Sequence, residues 1–169
     1  DEQAGTPGTD NFFSLDYMNV AKSYRTRYDP EYPMVELLKV APVAFTYDDH
    51  DMIDNNSDGY SYPWAGIRNS IRGYHDFFPG YELPDSSNGI FHKFSYGNVD
   101  VFMVDNRTKR TPNLGAFTLL GDKVYFTPKP GHTILGADQL AWLLEELSKS
   151  TATWKFISTG TPFNPGWRV

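Results

Sequence analysis

Apolar residues recur along the chain with two periods, and the switches between them mark out its elements. Tyr17, Val20, Ala21 and Tyr24 fall at i, i+3, i+4 and i+7, one face of a helix that ends before Asp29-Pro30. Residues 31–39 read as a second short helix, with Pro33 in its first turn and Met34, Val35, Leu37 and Leu38 on the buried side. Residues 40–47 are a short apolar run of the kind that forms a buried strand, and they stop abruptly at Asp48-Asp49-His50-Asp51. Ile67, Ile71, Tyr74 and Phe78 return to helical spacing and run into Pro79-Gly80, while residues 1–14 and 81–90 read as loop. Residues 91–96 and 99–104 flank Gly97-Asn98, a two-residue hairpin signal. A polar, Gly/Pro-rich stretch over 108–133 carries a short hairpin near 123–127. Leu140, Leu143, Leu144 and Leu147 make an amphipathic helix over about 137–149, and residues 154–157 read as a last strand before Ser158-Thr159-Gly160-Thr161. The mixture predicts an α/β (α+β) domain.

Three of the expected strands end in polar clusters: Asp48/Asp49/His50, Asp105/Arg107 and Ser158/Thr159/Thr161. Ligands of layered α/β folds bind in the crevice beyond the carboxyl ends of strands, so these clusters are expected to converge.

Charge sharpens this picture. The chain of 169 residues carries 15 Lys+Arg against 21 Asp+Glu, a net charge of −6, which excludes a basic nucleic-acid binder. No Lys or Arg lies between Val40 and Ile67, whereas Asp48, Asp49, Asp51, Asp54 and Asp58 crowd that stretch, so nearly the whole imbalance is local. Such a concentration calls for a cation, and carboxylate and amide oxygens suit Ca²⁺, Mg²⁺ or Mn²⁺. His50 adds an imidazole able to bind metal or to donate to a developing oxyanion. The plainer reading is a solvated turn whose Asp and Asn side chains cap backbone groups. Crowding of acids at the end of a buried strand favours function. An EF-hand fits Asp54, Asn56, Asp58 and Gly59 but fails at the twelfth position, where Ala65 stands for the bidentate Glu.

Composition bounds the rest. The length suits one domain of ~150 residues, and 40% hydrophobic with 21% charged residues is a globular balance. With no cysteine there is neither disulfide nor thiolate in this stretch. No apolar run nears the ~18 residues of a membrane span, and no signal peptide is visible. The chain opens on Asp1 and stops at Trp167-Arg168-Val169, and we expect an internal segment of a longer protein, truncated at both ends. His75, His92 and His132 lack ligand spacing and read as structural, Glu145 and Glu146 as a solvated helix face, and Trp64, Trp142 and Trp154 as core.

A series of motifs then resembles one family. Tyr24-Arg25 with Tyr28 and Asp29-Pro30, Pro42 through Asp48-Asp49-His50-Asp51 with Asn55-Asn56, Phe77-Phe78-Pro79, and Phe94-Ser95-Tyr96-Gly97 follow one another in order. Asp105-Asn106-Arg107, Leu135-Gly136-Ala137-Asp138-Gln139 with Trp142-Leu143, and Ser150 through Trp154-Lys155 complete it. The series is similar to the PhoD-like alkaline phosphatases and phosphodiesterases of the calcineurin-like metallophosphoesterases. That resemblance implies a sandwich of two β-sheets flanked by helices, of which residues 1–169 are the central part of a single catalytic domain. It implies hydrolysis of phosphate mono- or diesters at a multi-metal centre, with Ca²⁺ and, in the complete site, iron. It assigns Asp48, Asp49 and Asn55 or Asn56 to metal binding, and His50, Asp105 and Arg107 to the phosphoryl group. Tyr47 stands where the family usually has Trp, and Asp51 where it often has Glu. The family's first metal aspartates and its cysteine ligand precede this stretch, so part of the site is expected here. The expected partner is a phosphate-ester small molecule, with no specific nucleic acid and no transmembrane segment, in an extracytoplasmic location. The competing reading is a non-catalytic calcium- or carbohydrate-binding module.

Overall fold

The computed structural model describes residues 13–78, 80–112, 117–120, 123–126 and 130–161. The expected loop over 1–14 therefore lies outside the described residues up to residue 12, as does Pro79. Its elements are α1 (Tyr17–Thr26), α2 (Pro33–Leu38), α3 (Asp49–Met52), α4 (Trp64–Phe77), β1 (His92–Tyr96), β2 (Val99–Met103), β3 (Phe117–Leu120), β4 (Lys123–Phe126), α5 (Gly136–Lys149) and β5 (Trp154–Ser158).

The N-terminal half is helical. Asp16 caps α1 by accepting the Met18 N–H at 2.9 Å, and the helix turns Val20, Ala21 and Tyr24 inward as its period requires. Ile67, Ile71 and Tyr74 face it from α4. Gly73 permits the approach, because a Cβ there would stand 2.5 Å from a Tyr24 ring carbon and 2.8 Å from Val20 Cγ1. Phe45 and Phe78 stack at 4.3 Å on the same core, and Tyr47 is wholly buried in it.

The C-terminal half is built on a three-stranded sheet in the order β1-β2-β5, antiparallel then parallel. Gly97 makes the predicted hairpin turn with φ 59, a conformation costly for a side-chain-bearing residue. Helix α5 covers the sheet, and Phe102, Val104 and Leu143 form its core with Leu135, Trp142 and Leu147. Strands β3 and β4 pair separately as the short hairpin expected there. The described residues thus give a mixed α/β fold, and they do not by themselves build a sandwich of two stacked sheets.

Four expectations need correction. Residues 40–47 form no strand: Val40 and Ala41 turn back on Leu37, Val40 is 82% exposed, residues 42–47 pair with no neighbouring strand, and only Tyr47 is buried. Their polar links are to side-chain hydroxyls and to one carbonyl instead of a ladder: Thr46 Oγ1 donates to the Val104 carbonyl and the Tyr74 hydroxyl donates to that of Phe45. Helix α2 buries none of its residues, and Leu37 is exposed. Helix α5 is rotated from its leucine stripe, since Leu140 and Leu144 are exposed while Gln139 and Leu143 are buried. Strand β5 is not buried, for Trp154, Phe156 and Ile157 are all exposed, and Trp64 is likewise open to solvent.

The α1–α4 contact sets a test. Gly73→Ala forces the Tyr24 ring from its packed position, an overpacking expected to cost about 1–3 kcal/mol. Urea unfolding should show a lowered midpoint at unchanged slope.

Candidate active site

The three polar clusters do meet. Tyr47, wholly buried, points its hydroxyl at Asp105 Oδ2 at 3.0 Å, which sets the following residue, Asp48, beside the end of β2. Arg107 Nε then meets Asp48 Oδ1 at 2.5 Å, and its Nη2 lies 3.5 Å from Asp49 Oδ2. The end of β5 closes the third side: Val104 N–H bonds to the Ser158 carbonyl at 3.0 Å, and Asn106 Nδ2 donates to Thr159 Oγ1. Gly160 lies against Asp48, where a Cβ would stand 3.0 Å from the carboxylate carbon. A side chain at Gly160 would therefore press tightly on the acid.

Local backbone chemistry sets the first cluster. Asp48 is extended and Asp49 opens α3, so successive carboxylates diverge from a helix start. The Asp51 carboxylate accepts the Asp48 N–H at 3.0 Å, the return bond of a helix-capping pair. Asp49 takes the His50 N–H at 2.9 Å on one oxygen and the Asn56 N–H at 2.8 Å on the other. Asn56 reaches Asp49 by adopting φ 55, a left-handed conformation that asparagine tolerates well. Asn55 is exposed, its N–H turned to the Asp54 side chain at 2.7 Å. Of the two asparagines, Asn56 is the one brought to Asp49.

The acidic stretch is not one cluster. Asp58 is buried and spends its carboxylate on the Tyr60 and Ser61 N–H groups, each at 2.8 Å, and on the Ser61 hydroxyl. Gly59 pins the loop to the segment after β2: its N–H reaches the Arg110 carbonyl at 3.1 Å, and a Cβ would lie 1.9 Å from the Thr108 carbonyl oxygen.

Beneath the site, Asp105 is saturated. Its Oδ2 accepts from Tyr47, from Ile90 N–H at 3.0 Å and from Thr108 Oγ1 at 2.6 Å, and its Oδ1 from the Arg107 and Thr108 N–H groups, each at 2.9 Å. The same residue's main chain is clamped by Gln139, whose Oε1 accepts the Asp105 N–H and whose Nε2 donates to the Asp105 carbonyl, both at 2.8 Å. Gln139 was visible in the sequence only as a motif letter. Its signal was a polar residue four before Leu143 on a helix, where the core stripe continues.

Burial and charge tune these groups. Burial pushes the Asp49 carboxyl up, but the Asn56 and His50 N–H groups and the Arg107 guanidinium outweigh it and hold the group below its usual value. Burial raises Asp51 above the ordinary range, helped by the charges of Asp48 and Asp49 and opposed by the Asp48 N–H and Arg27. Burial, then Asp105, pushes the Tyr47 phenol well up, so that its proton stays on the hydroxyl that Asp105 needs.

Three buried side-chain atoms without a hydrogen-bond partner lie on the three clusters: His50 Nδ1, Asn106 Oδ1 and Thr161 Oγ1. A buried polar atom left so costs about 1–3 kcal/mol, and an unpaired group of this kind calls for a bound ligand, ion or water as its explanation. The donor set, two carboxylates with amide and hydroxyl oxygens, fits one side of a hard divalent cation's shell. Among the described residues no group of three or more His, Cys, Asp and Glu side chains converges as a metal-holding cluster.

A family model described as PhoD-like phosphatase matches residues 11–168. No curated protein matches the chain. A solved chain described as "Structure of PhoD" is 26% identical, with a TM-score of 0.49, the match covering 66% of this chain and 23% of that one. This chain thus spans under a quarter of that protein's length.

The strained charge on Asp51 gives a further test. Its raised pKa means that ionised Asp51 opposes folding above the carboxylate range, and that this cost vanishes as the pH falls through the folded-state value and the group protonates. Asp51→Asn keeps an acceptor for the Asp48 N–H, so it should raise the thermal midpoint near neutrality. The gain should shrink toward zero as thermal scans are run at progressively more acid pH.

Proposed function

The chain belongs to the PhoD-like phosphatase family, and from that premise we propose that it is the central part of a single catalytic domain that hydrolyses phosphate mono- or diesters with divalent metal ions. The observation that supports this reading is the meeting of Asp48, Asp49, His50, Arg107 and the end of β5 around orphaned polar atoms. In the complete domain we read the sheet described here as one layer of a two-sheet sandwich flanked by helices.

Each residue has a task set by its surroundings. Asp48 and Asp49, with Asn56 rather than Asn55 beside them, would hold the cation, which the family resemblance makes Ca²⁺, with iron in the full site. Bound there, such an ion polarises the phosphoryl group and acidifies water. Arg107 binds the ester's phosphate. Its side chain is nearly buried, and its planar fork matches paired oxygens. Asp48 and Asp49 hold that fork in place before substrate arrives. His50, next to Asp49, has a buried Nδ1 without a partner, and we assign it the proton for the leaving oxygen. Asp105 does not react; with all its lone pairs engaged, it orients Arg107 and Tyr47.

Among the described residues no helix is long and apolar enough to cross a membrane. The family resemblance favours an extracytoplasmic location and a small phosphate ester as partner. Asp54 and Asp58, which an EF-hand would spend on calcium, are committed to backbone N–H groups, which weighs against the calcium-module reading.

The test uses the protein expressed with the flanking sequence its gene encodes. His50→Ala and Asp49→Ala should each lower kcat/KM for an aryl phosphodiester by ~10²-fold or more. Chelation should abolish turnover and Ca²⁺ restore it. Wild-type rates in both variants would overturn the assignment.

A further inference from the structure

Asn106 sits between Asp105 and Arg107 with its side chain buried, yet neither the family resemblance nor the reaction assigns it a part. Its amide orientation follows from its neighbour's proton count. Thr159 Oγ1 has one proton, which it donates to the Thr161 carbonyl at 2.9 Å, and it accepts the Thr161 N–H at 3.1 Å. Towards Asn106 it has only a lone pair left, so the nitrogen must face it. Oδ1 is consequently turned away from Thr159, and no donor reaches it.

A fixed, buried carbonyl oxygen calls for a donor or a cation, and repels the oxygens of a phosphate. Its surroundings favour the cation. Arg107, the next residue, contacts Asp48, and Gly160, the residue after the Thr159 that holds Asn106, lies against the same carboxylate. Asn106 thus lies between two neighbours of that acid, Arg107 on its own chain segment and Gly160 beside its partner Thr159. Amide oxygens beside carboxylates are the ligand chemistry of hard cations.

We propose that Asn106 is an oxygen ligand of the divalent-cation site, contributing Oδ1 beside Asp48, an assignment that rests on the phosphoesterase reading above. Nδ2 fixes the amide on Thr159, which leaves Oδ1 as the oxygen that would meet the ion.

Calorimetric titration of the metal-stripped full protein with Ca²⁺ alone tests this, with circular dichroism to verify folding. Asn106→Ala should weaken Ca²⁺ binding by about tenfold or more, and Asn106→Asp, which keeps an oxygen and loses the donor to Thr159, should bind at least as tightly as wild type. The thermal upshift that Ca²⁺ gives the wild type should be lost in Asn106→Ala and kept in Asn106→Asp. Wild-type affinity in Asn106→Ala, lost affinity in Asn106→Asp, or no Ca²⁺ binding by the wild type each overturns it. Should Asn106→Ala not fold, the near-isosteric Asn106→Asp carries the test alone. Turnover of an aryl phosphodiester separates the two readings. Turnover with Ca²⁺ affinity indifferent to Asn106 rejects this ligand only, whereas Asn106-dependent Ca²⁺ binding without turnover rejects the hydrolase.

Discussion

The bond from the Tyr47 hydroxyl to the Asp105 carboxylate joins the two halves of the protein. Tyr47 belongs to the core packed by α1 and α4, whereas Asp105 follows the β2 strand packed under α5. Both residues are almost entirely excluded from water, so neither can exchange its partner for solvent. The acids that follow Tyr47 and the arginine that follows Asp105 meet because these two residues do. Nothing in the helical core alone would aim Asp48 at Arg107.

This arrangement explains why a site can stand on irregular backbone. Residues 40–47 and 104–112 have no ladder of their own, and side chains replace it: Gln139 on the main chain of Asp105, Thr46 on that of Val104, Asp105 on that of Arg107 and Thr108. Each is a buried or half-buried polar group meeting a backbone group that would otherwise lack a partner. The charged atoms at the surface of the crevice rest on these bonds rather than on each other.

Much of this was legible in the chain, and the failures have physical reasons. Helices α1 and α4 and the hairpin around Gly97 follow from local periodicity and turn chemistry, which do not depend on distant partners. The three polar clusters were legible as a pattern, although only those after β2 and β5 close a strand. The face of α5 was not, because Gln139 takes an inward position that hydrophobicity alone gives to leucine, and only its bonds to Asp105 justify it. Strand character in 40–47 was misread because apolar composition states what a segment can bury, while a strand also requires a neighbour. The acidic stretch was pooled as one charge, but carboxylates one to ten residues apart point to different donors once the chain turns, and turn geometry is silent in a charge count.

The pairing of β5 with β2 has one more consequence. In the observed register Val99 opposes Trp154 and Met103 opposes Ser158, which brings Gly160 to Asp48. A slip of one residue would bring Thr159 or Thr161 toward that place, crowd the carboxylate with a side chain and turn the strand's faces over. Because β5 is exposed along its length, hydrophobic burial discriminates poorly between registers there. The acid thus adds a preference that burial lacks, for the alignment that leaves a glycine beside it.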